Sequence, residues 1–154
     1  MATLQKLPNL RTLHLDRDAF LGFEMVCSRG GFPRLESLSL VELFYLEEWQ
    51  VEEGALPSLC RLNIRCCKRL MTLPDGLKHV ITVKEIMVER MPIEFKYRVG
   101  EGGVDFYKVK HVPSLLLPHL FLDLMDVNKL LCRGVLTMEI VQVNHTHSTL
   151  GGVA

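Results

Sequence analysis

The chain has almost no net charge to work with. Its 154 residues carry 18 Lys and Arg against 18 Asp and Glu. Without a basic excess there is no long-range field to gather phosphate. Nucleic acid is therefore not expected as a partner. Long apolar runs are missing too. The most apolar stretch, Leu115 to Met125, is broken by Pro118, His119 and Asp123. It falls well short of the roughly 20 apolar residues that a spanning helix needs, so no membrane span is expected. Cysteines are few, odd in number and irregularly spaced: Cys27, Cys60, Cys66, Cys67 and Cys132. The first residues lack the charged-then-apolar form of a secretory signal. Reduced thiols in a cytoplasmic protein are the expectation. Asn144-His145-Thr146 has the form of a glycosylation acceptor but is expected to be unused.

Catalytic constellations are also wanting. No phosphate-binding loop of the form G-x-x-x-x-G-K-[ST] occurs. Gly100-Glu-Gly-Gly103 has no following Lys-Ser or Lys-Thr and reads as a turn. Cys60, Cys66 and Cys67 have no C-x-x-C or His partner to complete a four-ligand metal set. Cys67 falls at an inward repeat position and reads as a small buried hydrophobe. His145 and His147 offer two ligands at most. No nucleophile, base and acid are brought together by spacing, and Cys27 with His14 would need a coincidence of fold. No enzymatic activity, no cofactor and no metal are expected.

What is present is repetition. The composition, 48% hydrophobic and 23% charged, suits a folded chain. Four segments share one register: Leu7-Pro-Asn-Leu-Arg-Thr-Leu-His-Leu15, Phe32-Pro-Arg-Leu-Glu-Ser-Leu-Ser-Leu40, Leu56-Pro-Ser-Leu-Cys-Arg-Leu-Asn-Ile64 and Val80-Ile-Thr-Val-Lys-Glu-Ile-Met-Val88. Apolar residues recur at offsets 0, 3, 6 and 8, and the starts lie 25, 24 and 24 residues apart. Offsets 6 and 8 leave one face of a strand. Offsets 0 and 3 belong to the turn before it, where Pro at offset 1 presets the backbone in three copies. Leu43, Leu46 and Trp49, and then Cys67, Leu70 and Leu73, read as inward residues of the returning arm. One coil cannot bury its apolar side alone, so neighbours must stack and their strands pair in parallel. The expected fold is an α/β solenoid, a leucine-rich-repeat horseshoe of about four repeats with parallel strands on its concave face. Repeats are expected over residues 1–110, and a poorly defined tail, disordered or read-through, over 111–154. No cap precedes Leu7, so the chain is expected to have continued toward its N-terminus or to need a partner there.

The outward offsets 4, 5, 7 and 9 form columns from coil to coil. They are Arg11, Glu36, Cys60, Lys84; Thr12, Ser37, Arg61, Glu85; His14, Ser39, Asn63, Met87; and Asp16, Val41, Arg65, Glu89. Opposite charges fall side by side at Arg11 and Glu36, Arg61 and Glu85, and Arg65 and Glu89. Such exposed pairs contribute a few tenths of a kcal/mol at most. The columns read as a self-neutralising solvated ladder, as a partner-binding face, or as both.

The segments between the repeats resemble the C-terminal region of plant intracellular immune receptors. These are the coiled-coil class of nucleotide-binding leucine-rich-repeat disease-resistance proteins. The resemblance rests on Leu46-Glu-Glu-Trp-Gln-Val-Glu-Glu-Gly-Ala-Leu-Pro-Ser-Leu59, Leu70-Met-Thr-Leu-Pro-Asp-Gly-Leu77, Met91-Pro-Ile-Glu-Phe95 and Asp105-Phe-Tyr-Lys-Val-Lys-His-Val-Pro-Ser114. It covers residues 1–114. It implies a protein-interaction module of innate immunity that senses a pathogen effector or a guarded host protein, and that folds onto the receptor's switch domain to keep it inactive. The coiled coil and the nucleotide-binding domain have no counterpart among these residues, so nucleotide chemistry is not carried over, and Met1 resembles an internal methionine. A non-functional truncated product, or a generic repeat scaffold unrelated to defence, are the alternatives.

Overall fold

The computed structural model describes residues 1–118. Seven strands and one short α-helix follow one another: β1 (Thr12–Asp16), β2 (Glu24–Cys27), β3 (Ser37–Val41), β4 (Glu48–Val51), β5 (Arg61–Arg65), β6 (Glu85–Glu89), α1 (Ile93–Val99) and β7 (Ser114–Leu116). The larger sheet has five strands in the order β1-β3-β5-β6-β7, and β2 pairs with β4 in a second sheet. All pairings are parallel. The described residues are thus mostly parallel strands with few helices, as an α/β repeat fold requires.

Each strand of the larger sheet arises from the same local instruction. Two apolar residues alternate with polar ones, and the apolar pair turns inward. Leu38, Leu40, Leu62, Ile64, Ile86 and Val88 are all 0–1% exposed. Before each strand the chain makes a tight turn. The offset-3 amide donates to the offset-0 carbonyl at Leu35→Phe32 (3.3 Å), Leu59→Leu56 (3.1 Å) and Val83→Val80 (3.3 Å). After each strand the next residue but one from the inward pair is left-handed: Arg17, Glu42, Cys66 and Arg90 have φ of 50°, 52°, 54° and 50°. Side-chain-bearing residues adopt this region at a cost of about 1–2 kcal/mol. Here the twist aims the amide sideways. Glu42 N–H donates to the Arg65 carbonyl at 2.8 Å, and Cys66 N–H to the Glu89 carbonyl at 3.1 Å. Lateral pairing between coils offsets the strain.

The arms return the chain in different ways. The first two use β2 and β4, the third a 3-10 turn over Asp75–His79, and the fourth α1 followed by a 3-10 turn over Phe106–Lys108. The expected inward residues Leu43, Leu46, Trp49, Cys67, Leu70 and Leu73 are all buried. Gly76 lies against β4 so closely that an added Cβ would meet the carbonyl carbon and oxygen of Val51. Only glycine fits there.

The ladder runs further than the four expected strands. Val109, Val112, Leu115 and Leu117 repeat the apolar offsets 0, 3, 6 and 8 after a 29-residue step. Val112 N–H donates to the Val109 carbonyl at 2.9 Å, and Ser114 N–H to the Lys84 carbonyl at 3.1 Å, as in the preceding coils. The tail was expected from 111, but Ser114–Leu116 is a strand of the sheet, paired with β6. The α1 segment lengthens the fourth arm and hides the copy from a fixed-period reading. The expectation of a disordered or read-through tail otherwise falls on residues 119–154, outside the described residues.

Candidate functional site

The strand register builds the outward columns as anticipated. Thr12 pairs with Ser37, Ser37 with Arg61 and Arg61 with Glu85. His14, Ser39, Asn63 and Met87 align likewise, as do Asp16, Val41, Arg65 and Glu89. Arg11, Glu36, Cys60 and Lys84 sit one residue before the strands, joined by the Glu36 amide to the Arg11 carbonyl at 2.7 Å, the Cys60 amide to the Glu36 carbonyl at 2.9 Å and the Lys84 amide to the Cys60 carbonyl at 2.8 Å. Arg11, Thr12, His14, Asp16, Arg61 and Lys84 are exposed. Glu36, Ser37, Ser39, Asn63, Arg65, Glu85, Met87 and Glu89 are half-buried.

The side chains depart from the expected ladder in two respects. Only one of the three anticipated ion pairs closes: Arg11 Nη1 to Glu36 Oε1 at 2.8 Å. A pair not anticipated joins Arg17 Nε to Glu42 Oε2 at 3.0 Å, in the left-handed row just past the strands. Arg61 and Glu85, and Arg65 and Glu89, are backbone neighbours without an ion pair between them. Register sets where charges sit, and rotamers decide whether they meet. The second departure is Val41, which is only 3% exposed although it stands in the outward column between Asp16 and Arg65. The centre of the face is correspondingly close-set. Asn63 Nδ2 donates to Ser39 Oγ at 3.4 Å, while Asn63 Oδ1 and Arg65 Nε are buried without a partner.

The other singled-out residues are placed inside the body. Cys27 and Cys67 are buried, Cys60 and Cys66 half-buried, and all four thiols are free. The Cys67 thiol donates to the Leu40 and Arg65 carbonyls at 3.6 and 3.5 Å. Burial pushes it up to about 11, so it remains a thiol at neutral pH. Gly100–Gly103 forms a turn closed by the Gly103 amide on the Gly100 carbonyl at 2.9 Å. Among the described residues no three His, Cys, Asp or Glu side chains converge as a metal site would require. None of the described helices is long and apolar enough to cross a membrane. His145 and His147 lie outside the described residues.

One cluster had no sequence signal. Asp105 and Lys108 are buried at 3% and 5% exposure. Asp105 accepts from Lys108 Nζ at 2.9 Å, Arg98 Nε at 2.8 Å and Thr72 Oγ1 at 3.0 Å. Lys108 Nζ also reaches the Leu73 carbonyl at 2.8 Å and Asp75 Oδ1 at 2.9 Å. The Asp105 carboxyl would be pushed up by its burial, but Lys108, Arg98 and Thr72 together hold it below the ordinary carboxylate range. Lys108 would be lowered by burial, and Asp105 and Asp75 hold it above its ordinary value. Every contact is internal, tying the fourth arm to the third. The cluster is a structural lock.

Parallel strands repeated in register, with side chains aligned in columns, are compatible with an α/β repeat fold whose larger sheet offers a mostly polar face interrupted at Val41 and Met87. No family model matches the chain, and no solved structure matches it. Curated relatives do. The chain is 50% identical over 115 residues to Probable disease resistance RPP8-like protein 2 of Arabidopsis thaliana, covering 75% of the chain and 13% of that protein. It is 48% identical to Disease resistance protein RPP8 and 49% identical to Disease resistance RPP8-like protein 3 of the same plant, again over 75% of the chain and over 13% and 12% of those proteins. Over three quarters of its length the chain is thus homologous to a segment of plant disease resistance proteins, the family its sequence resembles. It spans about an eighth of the length of these relatives.

Proposed function

We propose that this chain is a leucine-rich-repeat module of plant innate immunity, with the larger sheet lining the inner curve of a horseshoe and binding protein partners. The observation that carries the reading is the unbroken set of outward columns, held in register across β1, β3, β5 and β6, in a chain homologous to disease resistance proteins. Extended repeat surfaces of this kind suit recognition of large partners. The partner is a pathogen effector, a guarded host protein or the nucleotide-binding switch domain of such a receptor. Recognition is by contact alone, in the cytoplasm, with no bond made or broken and no cofactor.

Hydrogen-exchange footprinting with the purified switch domain of a disease resistance relative tests this. Protection is expected on β3, β5 and β6, together with at least tenfold weaker binding, about 1.4 kcal/mol, when Arg61 and Arg65 are both changed to Glu. Protection confined to the returning arms, or affinity indifferent to the double change, overturns the assignment of this face.

A further inference from the structure

The two halves of the outer face differ in how their charges are used. Over β1 and β3 the cations are engaged, Arg11 by Glu36 at 2.8 Å and Arg17 by Glu42 at 3.0 Å. Over β5 and β6 they are not. Arg61, Arg65, Lys84 and Arg90 make no ion pair among the described residues, and neither do Glu85 and Glu89. Four cations stand there against two carboxylates. Four buried side-chain polar atoms lack a partner among the described residues, and two of them, Asn63 Oδ1 and Arg65 Nε, lie on the outer side of β5. Unmet buried hydrogen-bonding groups are costly to leave so. Turning the Arg65 side chain outward would let a carboxylate take Nε together with a terminal nitrogen in a two-pronged bond. Turning the Asn63 amide would present its oxygen to an amide or hydroxyl donor.

Resting on the recognition role proposed above, we propose that the outer face of β5 and β6 takes an extended, acidic segment of a protein partner. The spacing selects its conformation. Arg61, Asn63 and Arg65 leave the same face at every second residue, so they stand about 6.7 Å apart in steps. An extended segment presents its own side chains at the same interval, and carboxylates four residues apart meet both arginines with a donor between them. A helix rises only about 5.4 Å per turn and falls out of step by the third contact. Met87, in the column beside Asn63 with Leu116 beyond it, supplies a half-buried apolar flank. Glu85 and Glu89 oppose a continuous polyanion and favour a segment whose acidic residues are spaced.

The probe is a labelled peptide with two glutamates four residues apart around a glutamine, paired with a control in which both glutamates are lysine. Each is titrated into the isotope-labelled full chain while backbone amide resonances are followed. The acidic peptide is expected to shift amides of β5 and β6, to bind at least tenfold tighter than the lysine peptide, and to weaken as salt rises. Changing Arg61 and Arg65 to Glu should reverse that preference, with the melting temperature confirming a folded variant. If the double change unfolds the chain, R61Q alone is to weaken acidic-peptide binding severalfold. Equal response to both peptides, shifts on β1 or the arms, or equal binding of a single-stranded oligonucleotide overturns the inference. An acidic peptide that fails while the switch-domain footprint still falls on this sheet refutes the acidic segment and leaves the recognition role standing. The reverse outcome refutes that role and retains the acidic site.

Discussion

Asp105 shows what a single residue can hold together. Its carboxylate collects Lys108, Arg98 and Thr72 within 3.0 Å, and through Lys108 it fixes the Leu73 carbonyl. Asp105→Asn leaves the buried Lys108 with only the exposed Asp75 as counter-charge and is expected to cost up to about 3 kcal/mol, the lower end for a broken buried pair. Adding Lys108→Met should return part of that loss, a coupling that a double-mutant cycle of urea melts would measure. Simple additivity of the two changes would refute the lock. The pH dependence follows from the directions of the shifts. Asp105 is depressed in the folded state. Its contribution is therefore complete above the unfolded value of about 3.9 and is lost as pH falls through the lower folded value. Lys108 is raised. Its contribution is complete below about 10.4 and is lost as pH rises through the higher folded value. Acid titration of stability should be steeper for the native chain than for Asp105→Asn below about pH 4. None of this was legible in the sequence, because Thr72 and Asp75 are separated from Asp105 and Lys108 by some thirty residues with no pattern linking them. The outward columns were legible by position, since a period of two admits one register once the apolar pairs are set. The closing of ion pairs within them was not, because long side chains choose among rotamers that no spacing records.

At the level of elements, the strands that repeat the apolar offsets could be read directly: β1, β3, β5 and β6. The arms could not. Their inward residues were evident at Leu43, Leu46, Trp49, Cys67, Leu70 and Leu73, but burial alone does not choose between a short strand and a 3-10 turn. So β2 and β4 emerged only in three dimensions. The fifth copy escaped because α1 displaces it from a 24-residue step to a 29-residue one. Gly76 marks the tightest approach between neighbouring arms. Gly76→Ala would drive a methyl group into the Val51 carbonyl and is expected to cost about 1–3 kcal/mol through forced backbone movement. An unchanged thermal midpoint would show that the third arm does not need to sit so close. The same substitution at Gly102, whose added Cβ would meet nothing within 4 Å but whose φ is 82°, separates crowding from backbone strain.

Across the whole molecule, burial is graded along the stack. Leu7 is 43% exposed, while its equivalents Phe32 and Leu56 are 0% exposed. Leu13 and Leu15 retain 9% and 5% exposure where Leu38, Leu40, Leu62 and Ile64 have at most 1%. Leu62→Ala should therefore cost about 2–5 kcal/mol, and Leu7→Ala no more than about 0.5 kcal/mol. Chemical denaturation of both variants checks this, and equal losses would mean that the coils do not stack as described. Stability in such a body comes from each coil and its interfaces with the next, as in a one-dimensional chain of coupled units.

The lock at Asp105 binds the later coils to each other, whereas among the described residues the ion pairs that bind the first coil, Arg11 to Glu36 and Arg17 to Glu42, engage exposed arginines. Opening therefore has a direction. Exchange of backbone amides should advance as a front from β1 toward β5 and β6, and limited proteolysis should trim the early coils while the residues from the third arm to β7 persist as a protected remnant.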